Sequence, residues 1–156
     1  MPASRKILLL IAAVSLALVG AALYLQHAKE MLPCPLCIIQ RYLFLGVAIF
    51  SLVGAFAGKL KVWTGLALLS ALGGLGVAGK HLYVLAHPGF SCGIDPMETV
   101  LNKIPTATLL PSIFRADGLC EAALDKVLGL SVPQWSALWF VILGLALVWV
   151  LARRAR

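Results

Sequence analysis

Four stretches of apolar sequence, each free of charged side chains, decide what this chain can fold into. They cover residues 7–25, 42–58, 62–79 and 135–152. A helix needs about 20 apolar residues to cross a hydrocarbon core, with a range of roughly 17–25. Lipid offers no partner to open backbone groups, so only helices or a closed barrel can span it. Four segments cannot close a barrel. The fold class read from the sequence is therefore all-α, an integral membrane four-helix bundle forming one domain over residues 1–156. Composition agrees: 62% of the 156 residues are apolar, against about 45–50% in soluble domains, and mean hydropathy is +0.99. Arg5 and Lys6 precede the first stretch as in a signal peptide, but its apolar run exceeds the roughly 7–15 residues of such a segment. The "QHAKE" behind it is a poor small-residue cleavage site, so the reading is a retained helix.

Charge placement orients the bundle. Arg5 and Lys6 precede the first span, Lys59 and Lys61 link the second to the third, and Arg153, Arg154 and Arg156 follow the fourth. Those seven basic residues have no acid among them, while all six acids fall in the opposite connections. Lys and Arg near span ends mark the cytosolic side, so both termini and the 59–61 link are expected there. The net charge of +7 is thus a topology signal. It is divided among three helix ends, and a nucleic-acid surface is not expected.

On the outer side stand a short segment, 26–41, and one long loop, 80–134. A structureless loop of that length is unusual in a compact chain and often functional. Leu109, Leu110, Ile113 and Phe114 cluster at helical spacing, and Ala122, Ala123, Val127 and Leu128 suggest another apolar face. Short interfacial helices lying in the headgroup plane are one reading; packing on the bundle ends is the other. Gly54-x-x-x-Gly58 and the glycines at 73, 74, 76 and 79 permit close helix approach. They are read as packing within a monomer surrounded by lipid.

All four cysteines, Cys34, Cys37, Cys92 and Cys120, lie on the outer side in this topology. That side is oxidising in a bacterium, where disulfides persist. Zinc in a four-thiolate shell usually takes two closely spaced pairs, whereas 27 residues separate Cys92 from Cys120. His27, His81 and His87 show no ligand spacing to a cysteine, and no metal is expected. A purely structural Cys-x-x-Cys bond closes too short a loop to stabilise much; such pairs are typical of exchange-active dithiols. In "MLPCPLCIIQRYLF", Pro33 and Pro35 stiffen the turn around Cys34, and Cys37 falls near a helix N-terminus. Free N–H groups and a nearby cation both favour a thiolate there. Arg41, four residues on, lies one turn deeper on the same face. Its plain alternative is a snorkelling anchor.

"CPLCIIQR" followed by an apolar span resembles the Cys-x-x-Cys-x-x-x-Arg signature of the DsbB family. "LLPSIFRADGLCEAA" resembles the family's stretch before its last cysteine, and "VPQW" opens the fourth span in the same way. The resemblance covers almost the whole chain. It implies a multi-pass protein of the bacterial inner membrane that reoxidises a periplasmic DsbA-like, thioredoxin-fold dithiol partner and passes the electrons to quinone, ubiquinone or menaquinone. It also implies redox-active pairs Cys34–Cys37 and Cys92–Cys120, with Arg41 and His81 at the quinone site. Gln40 stands where some members carry Glu. Two rivals differ in class. A vitamin K epoxide reductase-like enzyme also combines four helices with two cysteine pairs, but its Cys-x-x-Cys belongs to a late helix. A non-enzymatic, disulfide-stapled scaffold is the other.

Overall fold

The structure, a computed structural model, describes residues 3–87, 89, 94–120 and 126–153. Four long helices carry it: α1 (Ala3–Ala28), α2 (Pro35–Phe56), α3 (Leu60–Ala86) and α7 (Val132–Arg153). Each is long and apolar enough to cross a membrane. Between α3 and α7 come the short helices α4 (Ile94–Asn102), α5 (Pro105–Leu109) and α6 (Pro111–Phe114), then strands β1 (Lys126–Val127) and β2 (Leu130–Ser131).

All four long helices exceed the apolar runs that predict them, and in two the excess matters. The second helix begins at Pro35, seven residues before the predicted 42, because Cys34 caps it and proline suits the first helical turn. Cys37 and Arg41 therefore belong to a span. The third continues to Ala86, past the predicted end at 79, and carries His81 inside the bundle. Hydropathy falls at Lys80, but the helical hydrogen bonds do not stop there.

Helix α2 packs on α1 and α3, and α3 packs on α7, whereas α1 and α7 meet only briefly. The core between them is built from Leu8, Ile11, Phe44, Val47, Phe140 and Leu147, among others. Gly74 lets the Phe140 ring approach so closely that a methyl there would overlap it, and Phe140 stacks on Phe44 at 3.9 Å. Gly54 faces Trp63 and Leu8, and Gly73 faces Leu43, so these glycines do pack within the monomer. Gly58, Gly76 and Gly79 have open space instead. Leu10, Leu16, Ile49, Leu69, Leu72 and Leu145 turn outward from the bundle. An outer surface this apolar is suited to lipid rather than water.

The connection from the end of α3 at Ala86 to the start of α7 at Val132 is shorter than the 80–134 loop read from the sequence. Tyr42 stacks on Phe114 at 4.7 Å, and its hydroxyl hydrogen-bonds Thr106, which docks α5 and α6 on α2. Phe114 is buried while Leu109 and Leu110 are exposed, so the predicted apolar cluster divides between packing and surface. Val127 and Leu128 do not form the expected helical face. They belong to a hairpin pairing Lys126 with Ser131, and its turn residues Leu128 and Gly129 take positive φ, 53° and 88°. That is the primed turn matching strand twist. The Trp135 indole N–H donates to the Val127 carbonyl at 2.8 Å and fixes the hairpin on α7. Ala122 and Ala123 lie outside the described residues.

Candidate functional site

Proline geometry and a capping sulfur build the first part of the site. Cys34 is extended (φ −79°, ψ 165°), and its Sγ accepts the Cys37 N–H at 3.3 Å. The two sulfurs are thereby held 2.9 Å apart as free thiols, with Cys34 donating to Cys37. That hydrogen bond, and then burial, push the Cys34 thiol far above its ordinary range.

The two thiols face different neighbours. Cys34 is buried in a cluster with Leu36, Val84 and Cys120. Cys120 is itself disulfide-bonded; Cys92 lies outside the described residues. The segment before Cys120 is clamped onto the segment before Cys34, because the Asp117 and Gly118 N–H groups both donate to the Pro33 carbonyl at 3.1 Å. Gly118 touches the Leu32 carbonyl so closely that no Cβ fits there. His81, fully buried, spans the junction: its Nε2 is 3.7 Å from Cys34 Sγ and 3.4 Å from the Cys120 carbonyl. Gln40 Nε2 is 3.4 Å from His81 Nδ1 on the other side of the ring.

Cys37 instead lines a cavity of about 750 Å³ where α1 and α7 part. Its walls are largely apolar, with Leu18, Leu25, Phe44, Trp135 and Trp139 prominent and Gln40 and Arg41 at one side. Arg41 is 5% exposed, and among the described residues no carboxylate pairs with it. Its Nη1 donates to Gln26 Oε1 at 2.7 Å and to the Ile113 carbonyl at 2.6 Å. The Gln26 amide in turn donates to the Ser112 carbonyl at 3.1 Å. Nε and Nη2 make no hydrogen bond among the described residues, so a buried cation keeps donors free beside the cavity. A planar fork of this kind suits a carbonyl oxygen.

Cys34, Cys37, Arg41, His81 and Cys120 thus come together, but His81, expected at the quinone site, meets Cys34 and the Cys120 carbonyl and is not among the residues lining the cavity. Gln26 was not singled out from the sequence, and the contact of His81 with a cysteine contradicts the expectation drawn from spacing. Both pairings join different helices, 15 and 47 residues apart, where local spacing carries no signal.

A family profile described as "Disulfide bond formation protein DsbB" matches residues 4–150. The chain belongs to the DsbB family. It is 51% identical to "Disulfide bond formation protein B" of Ralstonia nicotianae, over 98% of this chain and 97% of that one. The like-named proteins of Herminiimonas arsenicoxydans and Cupriavidus necator are 52% and 53% identical, over 93% of both chains and over 98% and 96% respectively. A DsbB-family chain with four spanning helices is a multi-pass membrane protein.

Proposed function

We propose that this DsbB-family protein is a protein-disulfide:quinone oxidoreductase of the bacterial inner membrane, which reoxidises a DsbA-like periplasmic dithiol protein. One observation carries the reading: Cys34 packs with the loop cysteine Cys120, whereas its neighbour Cys37 faces an apolar cavity beside Arg41. A pair divided in this way can take electrons from one side and release them on the other.

The chemistry is a chain of thiolate attacks on disulfides. A partner thiolate attacks Cys92 of a Cys92–Cys120 bond, forming a mixed disulfide and freeing Cys120. The partner's second thiol resolves that bond, leaving the partner oxidised and Cys92 free. Cys120 attacks Cys34 of the oxidised Cys34–Cys37 pair and releases Cys37. Cys92 then attacks Cys120, restoring the loop disulfide and leaving Cys34 and Cys37 both reduced. The two electrons leave the membrane pair as its disulfide re-forms, and His81 beside Cys34 is placed to carry a proton.

Quinone, when bound, supplies the two-electron sink. The cavity fits such a ligand in size and lining, falling within the roughly 300–1,000 Å³ of small-molecule sites. Arg41 offers its remaining donors to a ring carbonyl, with Gln26 and Ile113 holding the guanidinium in plane. The brief α1–α7 seam supports entry of a lipid-soluble molecule from the bilayer. Organic extraction of protein purified from membranes tests the reading. About one quinone per wild-type chain and much less from Arg41→Ala is expected; equal recovery from both would contradict it.

A further inference from the structure

Three ligand atoms of the kind that hold soft metals come together in this site: Cys34 Sγ, Cys37 Sγ and a ring nitrogen of His81, all within 4.8 Å of one another, with Nε2 the nitrogen facing Cys34. We propose that the reduced Cys34–Cys37 pair, together with His81, is a binding site for a thiophilic divalent cation of the zinc group. Occupation would hold the pair in its dithiol state. The inference does not rest on the quinone reading, since neither quinone nor a partner takes part.

Geometry favours it over an ordinary vicinal dithiol. A tetrahedral zinc with sulfur at about 2.3 Å and nitrogen at about 2.0 Å separates sulfur from nitrogen by roughly 3.5 Å and sulfur from sulfur by roughly 3.8 Å. The Cys34–His81 distance, 3.7 Å, already matches. The sulfurs, 2.9 Å apart, have to open by about 0.9 Å, within reach of small side-chain rotations. Two thiolates and one imidazole leave a fourth position open. Because Cys37 lines the cavity, that position is reached from it, which also provides an entry path.

Outer support is present as well. Metal-bound histidine normally has its second nitrogen held by a hydrogen-bond acceptor. Gln40 Nε2 stands at 3.4 Å from Nδ1. Turning that amide brings its oxygen to Nδ1–H, and the His81 Nε2 lone pair then serves the metal in place of its contact with the Cys120 carbonyl. Binding forms two metal–sulfur bonds and one metal–nitrogen bond, releases the thiol protons to solvent, and oxidises nothing. A ligand held only by the dithiol form stabilises it by mass action, so the midpoint potential of the pair rises with metal concentration. Metal-bound sulfurs are unavailable to re-form their disulfide, and turnover stops until the ion is removed.

The test uses the full chain in detergent with Cys92→Ser and Cys120→Ser, so that only the membrane pair is counted. Cys120 contributes its backbone carbonyl to the junction, which serine keeps. Cadmium alone is titrated into anaerobically reduced protein, with the thiolate-to-cadmium absorption as readout and X-ray absorption defining the shell. One ion per chain, a shell of two sulfurs with nitrogen, and no binding to the oxidised pair are expected. Gln40→Leu should weaken binding by about 10–100-fold, as loss of an outer partner does, and His81→Ala should weaken it further. A shell without nitrogen, equal affinity in His81→Ala, or binding to the oxidised pair would each overturn the proposal. The shell of the parent protein decides even where His81→Ala fails to fold.

Discussion

Arg41 is buried with two neutral acceptors and no carboxylate partner among the described residues, and such a cation is costly unless it has work to do. Arg41→Lys keeps the charge and loses the fork. Losing one charge-assisted hydrogen bond costs roughly 1.5–3 kcal/mol, or about ten- to a hundredfold in a binding constant. Steady-state assays should therefore show a raised quinone KM in Arg41→Lys and a larger loss in Arg41→Ala. Stopped-flow exchange between the loop disulfide and the partner should not change; a defect there would return Arg41 to a general structural role. Gln26→Leu removes the 2.7 Å acceptor from Nη1 and the link to Ser112. It should raise the same KM by roughly tenfold without altering loop exchange, and an unchanged KM would remove Gln26 as a positioning residue. The cysteines and Arg41 were legible because "CPLCIIQR" places them within two helical turns. Gln26 was not, since its importance comes from the end of α1 meeting α2 in space.

Among the elements, the segment around Gly118 governs whether one cysteine pair can reach the other. Any side chain at 118 meets the Leu32 carbonyl, and backbone cannot give way as a flexible side chain can. Gly118→Val should slow transfer from Cys120 to Cys34 while the partner still attacks Cys92 at its normal rate. Rapid quench with alkylation separates these two steps, and equal slowing of both would point to general misfolding of the loop. Gly74→Ala tests a different contact, the α3–α7 packing against Phe140. Overpacking of this kind costs about 1–3 kcal/mol, so its thermal unfolding midpoint should fall while the sulfurs keep their exchange chemistry. Periodicity foresaw the long helices but misread the 126–131 hairpin, where Leu128 stands 89% exposed in a left-handed turn. Only Gly129 signals that turn in sequence, and the indole bond that holds the hairpin comes from the next helix.

At the scale of the whole molecule, the bundle is a row of helices closed incompletely between α1 and α7, and that opening holds the cavity. Its other end gathers the basic residues: Arg5 lies over the Phe56 ring at 4.6 Å, and Arg153 over the Trp149 ring at 3.7 Å. If those ends lie in the cytosol, as the charge pattern leads us to propose, a membrane-impermeant thiol reagent applied to reduced, intact cells should label all four cysteines. Labelling only in inverted vesicles would reverse the orientation. The number and order of spans were readable from hydropathy alone, whereas the open seam was not, because it depends on which faces meet. The central claim is directional electron flow from a soluble dithiol through Cys120 and Cys34 to a lipid-soluble acceptor. Its most direct test is quinone reduction by a reduced thioredoxin-fold partner, followed by absorbance with purified wild-type protein and Cys120→Ser. The account predicts multiple turnovers for the wild type. For Cys120→Ser it predicts almost none, because Cys92 then carries no disulfide for the reduced partner to attack. Normal turnover by Cys120→Ser would contradict it.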